Sequence, residues 1–156
     1  KTYLVGGAVR DILLGQAPVE LDYAVDGDDA AFLAAHPDAS RVGKSVQVCL
    51  WHGCEFMPLR GGSLTEDLAA RDLSINALAL DADGHLHAHA TALEDLERRI
   101  LRPASPDAFH KDPLRLFRLA RFACRQPGWQ LHPNCLRLAA EIPESALAAI
   151  PAERVG

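Results

Sequence analysis

Hydrophobic positions along the chain change period several times, and each change marks an element. Thr2 to Val5 is a short β-type run that meets Gly6-Gly7, and Ala8 to Leu14 then has the spacing of a helix closed by Gly15. Pro18 interrupts the chain. Leu21 to Val25 alternates apolar and acidic or polar residues, which predicts a strand with Glu20 and Asp22 on one face. Asp26-Gly27-Asp28-Asp29 opens a helix to about His36, ended by Pro37. Val46 to Leu50 and Cys54 to Leu59 read as two strands flanking Trp51-His52-Gly53, a hairpin.

Gly61-Gly62 breaks the pattern, Leu64 to Ala70 is helical, and Ile75 to Leu80 reads as a strand ending in the turn Asp81-Ala82-Asp83-Gly84. His85 to His89 alternates again, and Thr91 to Arg99 is a short helix. From Asp107 the period becomes helical and stays so, with Leu114, Phe117 and Phe122 in one apolar stripe. The prolines at 103 and 106 mark a boundary between a mixed α and β region and an all-α remainder. No internal repeat interrupts this order.

Composition narrows the class. With 49% apolar and 24% charged residues in 156, the chain has the balance of a globular domain rather than a disordered or fibrous one. No apolar run approaches the roughly 18 residues a membrane span needs, and the start lacks the apolar core of a signal peptide. Cys49, Cys54, Cys124 and Cys135 have neither CxxC spacing nor the density of a disulfide scaffold, so reduced thiols and a cytoplasmic location are expected. The net charge of −5 hides a split. Residues 1–97 hold 6 Lys and Arg against 16 Asp and Glu, while residues 98–156 hold 10 against 5. Such a division suits a carboxylate-rich cation site followed by an arginine-rich element that meets anions, and equally two solvated surfaces. The chain starts at Lys1 and stops at Val155-Gly156 as a helical pattern begins, so it is expected to be part of something longer.

Two clusters carry candidate chemistry. Glu20 and Asp22, about 7 Å apart along a strand, can share hard cations such as magnesium; on their own they also describe an ordinary exposed strand. Gly6-Gly7 between a strand and a helix lets backbone amides approach a phosphate, and Arg10-Asp11 follow at once. Neither GxxxxGK[ST] nor GxGxxG is present, which excludes the P-loop and the dinucleotide fingerprint. His85, His87 and His89 would share a strand face, a geometry open to a transition metal. With no carboxylate or Cys partner at a fixed spacing, they read as an exposed polar face. Trp51 and Trp129 read as packing groups.

Five blocks in order, YLVGGAVRDILLG, ELDYAV, ARDLSINALAL, LEDLERRILR and KDPLRLFRLARF, resemble the head domain of bacterial tRNA nucleotidyltransferases and poly(A) polymerases, the class II branch of the polymerase-β-like nucleotidyltransferases. The resemblance implies an α+β head over 1–104, with a mixed, largely antiparallel sheet and flanking helices, followed by the start of an all-α neck over 105–156. It implies transfer of CMP or AMP, or both, from CTP or ATP to an RNA 3′ end, most simply that of tRNA, with poly(A) synthesis or nucleotide binding without catalysis as alternatives. Carried onto this chain, Glu20 and Asp22 bind two magnesium ions, and Gly6, Gly7, Arg10 and Asp11 hold the triphosphate. Arg71, Asp72, Ser74 and Asn76 contact ribose and phosphates. Asp112 and Arg115, one turn apart on a helix face, read the base, with Arg118 and Arg121 close by. Glu55 and Arg60 sit where family members often carry a Glu and an Arg facing the metals, so the resemblance implies a third catalytic carboxylate at Glu55, completing metal binding or accepting the 3′-hydroxyl proton; the position equally suits an ordinary hairpin glutamate.

The chain departs from the family pattern at several points. Glu20 stands in place of the usual first Asp of the metal pair, and in-line transfer tolerates little misplacement. Ala70 replaces the first of two arginines, Lys111 an acid, and Ala88-His89 an Asp-Pro pair. Only six residues separate Arg60 from Asp67, where relatives carry a longer Gly-rich loop, so residues are expected to be absent there. The RNA grip is expected beyond Gly156, in keeping with the acidic character of what precedes it.

Overall fold

The computed structural model describes residues 1–43 and 48–155, which divide into two compact units. The first comprises Lys1–Leu68 and Leu78–Ala88, the second Ala69–Ala77 and the residues from His89 onward.

In the first unit the elements run β1 (Thr2–Val5), α1 (Gly7–Leu13), β2 (Asp22–Val25), α2 (Asp29–Ala35), β3 (Ser40–Val42), β4 (Val48–Trp51), β5 (Cys54–Pro58), α3 (Leu64–Ala69), β6 (Leu78–Asp81) and β7 (Leu86–Ala88). The seven strands form one sheet in the order β3-β4-β5-β2-β1-β6-β7. β2 pairs parallel with β5 and the other five pairings are antiparallel. The parallel pair needs a crossover, and α2, β3 and β4 supply it. The expected mixed, largely antiparallel sheet with helices is therefore present.

Central β1 buries Tyr3 and Val5, and α1 turns Ala8 and Val9 inward while leaving Ile12 and Leu13 exposed. A second part of this core gathers Phe32 of α2, Cys49 of β4 and Phe56 of β5, with Tyr23 and Trp51 packed against them. Phe56 stacks between Tyr23 at 4.8 Å and Phe32 at 4.7 Å. Because strand residues alternate faces, the burial of Phe56 sends neighbouring Glu55 to the other side. Trp51 packs as expected and donates its indole N–H to Asp38 at 2.9 Å. His52 and Gly53 both have positive φ, at 49° and 78°, the geometry of a two-residue hairpin turn.

Two expectations are corrected here, and one strand is added. β2 begins at Asp22, so Glu20 lies in the coil before the strand rather than on its face. The reason is the partner: β1 ends at Val5 opposite Asp22, and Gly6 turns away into α1, leaving Leu21 and Glu20 nothing to pair with on that side. Ser74–Asn76 is a 3₁₀ turn rather than strand, with Asn76 and Ala77 amides donating to the carbonyls of Leu73 and Ser74. An all-apolar buried run has no period that separates these states. β3 went unforeseen because its three residues are all exposed at the sheet edge. Val46 and Gln47, expected to open a strand, lie outside the described residues.

The second unit contains the 3₁₀ turn, α4 (Ala92–Arg98), β8 (Ile100–Leu101), α5 (Ala108–Lys111), α6 (Leu114–Arg125), β9 (Gln130–Leu131), α7 (Pro133–Ala140), α8 (Glu144–Ala148) and α9 (Ala152–Val155). It is mostly helical, with the parallel pair β8·β9 as an addition the sequence did not announce. Leu73, Ile75, Leu101, Phe109 and Cys135 are fully buried in it. The helical period expected to run unbroken from Asp107 stops at Asp112, which is extended at φ −150° and ψ 100°. Pro113 explains the break, since proline disfavours the helical conformation in the residue before it. Among the described residues, no helix is long and apolar enough to cross a membrane.

Candidate active site

The first unit gathers Gly6, Asp22 and Glu55 at one end of the sheet, whereas Arg60, expected beside Glu55, follows the far end of β5 next to Val25. Val5 of β1 stands opposite Asp22 of β2, and Asp22 stands opposite Glu55 of β5. The end of β1, the start of β2 and the start of β5 therefore coincide, and the Gly6 turn leaves from the same row. Paired residues on adjacent strands share a face about 4.8 Å apart, so the Asp22 and Glu55 carboxylates project side by side. Glu20 joins them: all three line a cleft of about 410 Å³, together with Val19, Leu21, Leu50, Gly53 and Cys54. Burial first, then the charges of Asp22 and Glu20, push the Glu55 carboxyl above its ordinary value. Hard carboxylate oxygens are the donors magnesium prefers, so the residues fit that ion.

Gly6 has φ 71° and ψ −132°, a conformation open only to glycine. It lets the Gly6 N–H reach the Leu78 carbonyl at 3.0 Å while the Gly6 carbonyl accepts from Arg10 N at 3.1 Å, starting α1. A side chain on Gly7 would meet the Arg10 guanidinium at 3.4 Å, so that group lies across the turn. Arg10 is held there by Asp11, with Nε and Nη2 at 2.8 and 2.7 Å from Oδ1. Arg60, on a 3₁₀ turn after β5, donates its backbone N–H to the buried Asp67 carboxylate at 3.2 Å.

The second unit holds the remaining candidates. Asp72 is buried and fully engaged: Oδ1 accepts from Leu73 N at 2.8 Å and Asn76 Nδ2 at 3.1 Å, and Oδ2 accepts from Arg118 Nε at 2.9 Å. Burial works against its charge, but Arg118, then Asn76, the Leu73 amide and Arg115 outweigh it and hold the carboxyl below its ordinary range. Arg118 of α6 thus braces the Arg71–Asn76 segment. Arg115 does the same by another route, donating to the carbonyls of Ala70 at 2.7 Å, Arg71 at 3.2 Å and Ala108 at 3.3 Å. Asp112 does not share a helix face with Arg115, as expected from spacing, because it sits in the break before Pro113. It accepts from Leu114 N at 3.2 Å and from Arg154 at 3.1 Å. Arg121 donates to the Val155 carbonyl.

Two features escaped the sequence. Asp95 of α4 is fully buried and holds Ser74 Oγ at 2.6 Å and Arg102 Nη2 at 2.9 Å. Its place between Ala92 and Leu96, on the helix face that is buried, was the available signal. Asp81 is the second: its Oδ2 lies 3.3 Å from His85 Nδ1 and 3.1 Å from His87 Nε2. The two histidines therefore do have a carboxylate partner, contrary to expectation, and the partner became visible only once β6 folded back on β7. His85 precedes β7, and His89 lies in the second unit, so the three do not line one strand.

Known proteins resemble this chain in sequence and in fold. Residues 2–53 match the model of the poly A polymerase head domain. Over 178 aligned positions the chain is 39% identical to the multifunctional CCA protein of Acinetobacter baumannii strain SDF, covering 99% of this chain and 43% of that protein. The chain thus spans less than half the length of such relatives, and the alignment, longer than the chain's 156 residues, shows that this relative carries segments the chain lacks. Among solved structures, the Bacillus stearothermophilus CCA-adding enzyme in complex with CTP superposes with a TM-score of 0.83 at 31% identity, covering 99% of this chain and 42% of that one. A tRNA nucleotidyltransferase complexed with a primer tRNA and an incoming ATP analog gives 0.74 at 30% identity, covering 99% and 50%. On this similarity of sequence and fold, the chain belongs to the head-domain family of class II CCA-adding enzymes and poly(A) polymerases.

Proposed function

We propose that this chain is the catalytic head, with the start of the neck, of an RNA nucleotidyltransferase that adds CMP, AMP or both from CTP or ATP to the 3′ end of a tRNA in the cytoplasm. The observation that carries the reading is the row Gly6, Asp22 and Glu55 at one sheet end, with Glu20 in the same cleft. The relatives' complexes with CTP, an ATP analog and tRNA support the substrates. The functional division is the head over 1–104 and the neck from 105.

In this reading Glu20 and Asp22 hold the metals. Two magnesium ions bound there supply activation of the RNA 3′-hydroxyl and stabilisation of charge on the transferring phosphate. Glu55, opposite Asp22 on the neighbouring strand, is placed to accept the hydroxyl proton as the bond from the 3′-oxygen to the α-phosphate forms and the α–β phosphate bond breaks to release pyrophosphate. Backbone amides of Gly6 and Gly7 and the Arg10 guanidinium, steadied by Asp11, receive the triphosphate. Arg71, Asp72, Ser74 and Asn76 order the sugar and phosphates. Asp112 accepts from an exocyclic amine and Arg115 donates to ring nitrogen or carbonyl. A bound base then replaces Arg154 on Asp112, with Arg118, held on the Asp72 carboxylate, and Arg121, held on the Val155 carbonyl, close by.

The test is incubation of the full-length protein with magnesium, a tRNA lacking its 3′ terminus, and labelled CTP or ATP separately, with product length read on a gel. Addition stopping at one to three nucleotides supports the proposal. Long A-tails would move the assignment to poly(A) polymerase. Nucleotide binding without transfer would make the head a binding module, and Glu20→Asp would then be expected to restore transfer.

A further inference from the structure

The carboxylate cleft has an apolar wall that neither metal nor triphosphate binding uses. Leu50 of β4 pairs with Glu55 of β5, Glu55 with Asp22 of β2, and Asp22 with Val5 of β1. Paired strand residues share a face, so the four form one row, with successive strands about 4.8 Å apart. The two flanks of that row differ in chemistry. At the β1 end the chain turns through Gly6 and Gly7 towards Arg10, the groups that receive the triphosphate. At the β4 end stands Leu50, 36% exposed, and Val19, 94% exposed, lines the same cleft. Single exposed apolar side chains are ordinary on a protein surface, but these two bound the space that holds the carboxylates. A side chain built on Gly53, in the hairpin beside them, would meet nothing within 4 Å, so this end of the cleft is open. Its volume of about 410 Å³ is that of a small-molecule site.

We propose that Leu50 and Val19 seat the 3′-terminal nucleoside of the RNA acceptor, its ribose and base lying against the two aliphatic side chains and its 3′-hydroxyl directed at Glu55. The inference rests on the transfer reaction proposed above. In-line transfer puts the attacking oxygen and the departing pyrophosphate on opposite sides of the α-phosphorus. With the triphosphate at the Gly6 to Arg10 end of the row, the hydroxyl enters from the β4 end, and Glu55 is the carboxylate it meets there. Charge agrees with this placement. The carboxylates of Glu20, Asp22 and Glu55 repel the acceptor's own phosphodiesters, so the part of the strand that rests beside them is the neutral part, ribose and base. Val19 and Leu50 carry no hydrogen-bonding group, and such a surface does not distinguish one base edge from another. That suits an acceptor whose terminal base changes with each addition. Choice of the incoming nucleotide then stays with Asp112 and Arg115.

Photocrosslinking and kinetics on the full-length protein test the seat. A tRNA shortened at its 3′ end and terminating in 4-thiouridine, irradiated with the protein in Mg²⁺, should crosslink within residues 19–21 or 50–55. In transfer assays with labelled CTP, Leu50→Ser should lower kcat/KM for the tRNA about tenfold while the KM for CTP stays within about twofold. Leu50→Met, which keeps an apolar side chain of similar size, should restore most of the loss, and Val19→Ser should act in the same direction more weakly. Crosslinks found only outside these two segments, tRNA parameters unchanged in Leu50→Ser, or a KM for CTP that rises in parallel would overturn the proposal. A wild-type protein that crosslinks at Leu50 yet transfers no nucleotide would overturn the transfer reaction and leave the seat standing. Circular dichroism of the variants verifies that the fold is retained.

Discussion

Asp95→Ala should be among the most damaging single changes in the second unit. The carboxylate is wholly buried and accepts the Ser74 hydroxyl at 2.6 Å, Arg102 Nε at 3.1 Å and Arg102 Nη2 at 2.9 Å. Hydrogen bonds to a charged group are worth about 1.5–3 kcal/mol each, and deleting one member of a buried ion pair costs about 3–5 kcal/mol. The Arg102 side chain keeps 28% of its surface exposed, so water partly replaces the lost partner and the lower end applies. A loss of about 3 kcal/mol follows, or roughly 6–12 °C in Tm for a protein of this size. Ser74→Ala removes one neutral donor and should cost about 1 kcal/mol. Because both changes delete the same contact, the double variant should fall short of their sum by most of that amount. Urea unfolding of the four proteins, followed by circular dichroism, measures the cycle. Additive effects, or an Asp95→Ala cost below about 1 kcal/mol, would refute the reasoning, since the carboxylate would then contribute nothing to holding the Ser74 turn.

Gly6→Ala forces a side chain into φ 71° and ψ −132° and should cost about 1–3 kcal/mol, read by denaturant midpoint, whereas Gly15→Ala, with φ 72° but open space around it, should cost less. The Glu55 carboxyl should titrate above the ordinary glutamate range in an NMR pH series and move back down in Asp22→Asn. Because its native pKa is raised, the native state keeps a proton that the unfolded chain has lost, so this group's contribution to stability declines as pH rises from the ordinary value through the raised one. Asp72 has the opposite sign: its contribution is present above the ordinary aspartate value and disappears as pH falls through the lowered one, so Asp72→Asn should flatten acid unfolding. Arg115→Lys should destabilise by about 1–2 kcal/mol, since one ammonium cannot span the carbonyls of Ala70, Arg71 and Ala108 that the guanidinium fork reaches.

Much of the first unit was legible because its strands alternate and its turns carry glycine. β1, α1, the hairpin through His52-Gly53 and the strand holding Asp22 follow directly from period and turn chemistry. What the sequence could not supply was pairing. Glu20 looks like a strand residue until β1 is seen to stop at Val5, and Asp22 and Glu55 look unrelated until β2 and β5 are set side by side. The second unit was harder to anticipate. Asp112 and Arg115 have helical spacing, yet the proline between them outweighs it. Asp95, Arg115 and Arg118 act by pinning backbone and side chains in the Arg71–Asn76 segment, and single-sequence patterns do not encode such tertiary partners.

The parallel pairing of β2 with β5 also bears on how the protein assembles. The β4–β5 hairpin closes through two residues and belongs to the microsecond class of folding events. Bringing β5 beside β2 closes a loop of about thirty residues and carries the larger entropy cost. The two carboxylates are therefore expected to meet after the hairpin has formed, with their repulsion opposing that docking step. Cations that screen the pair should accelerate this stage of folding, so the ionic conditions under which the chain folds influence how quickly its acidic cleft comes into being.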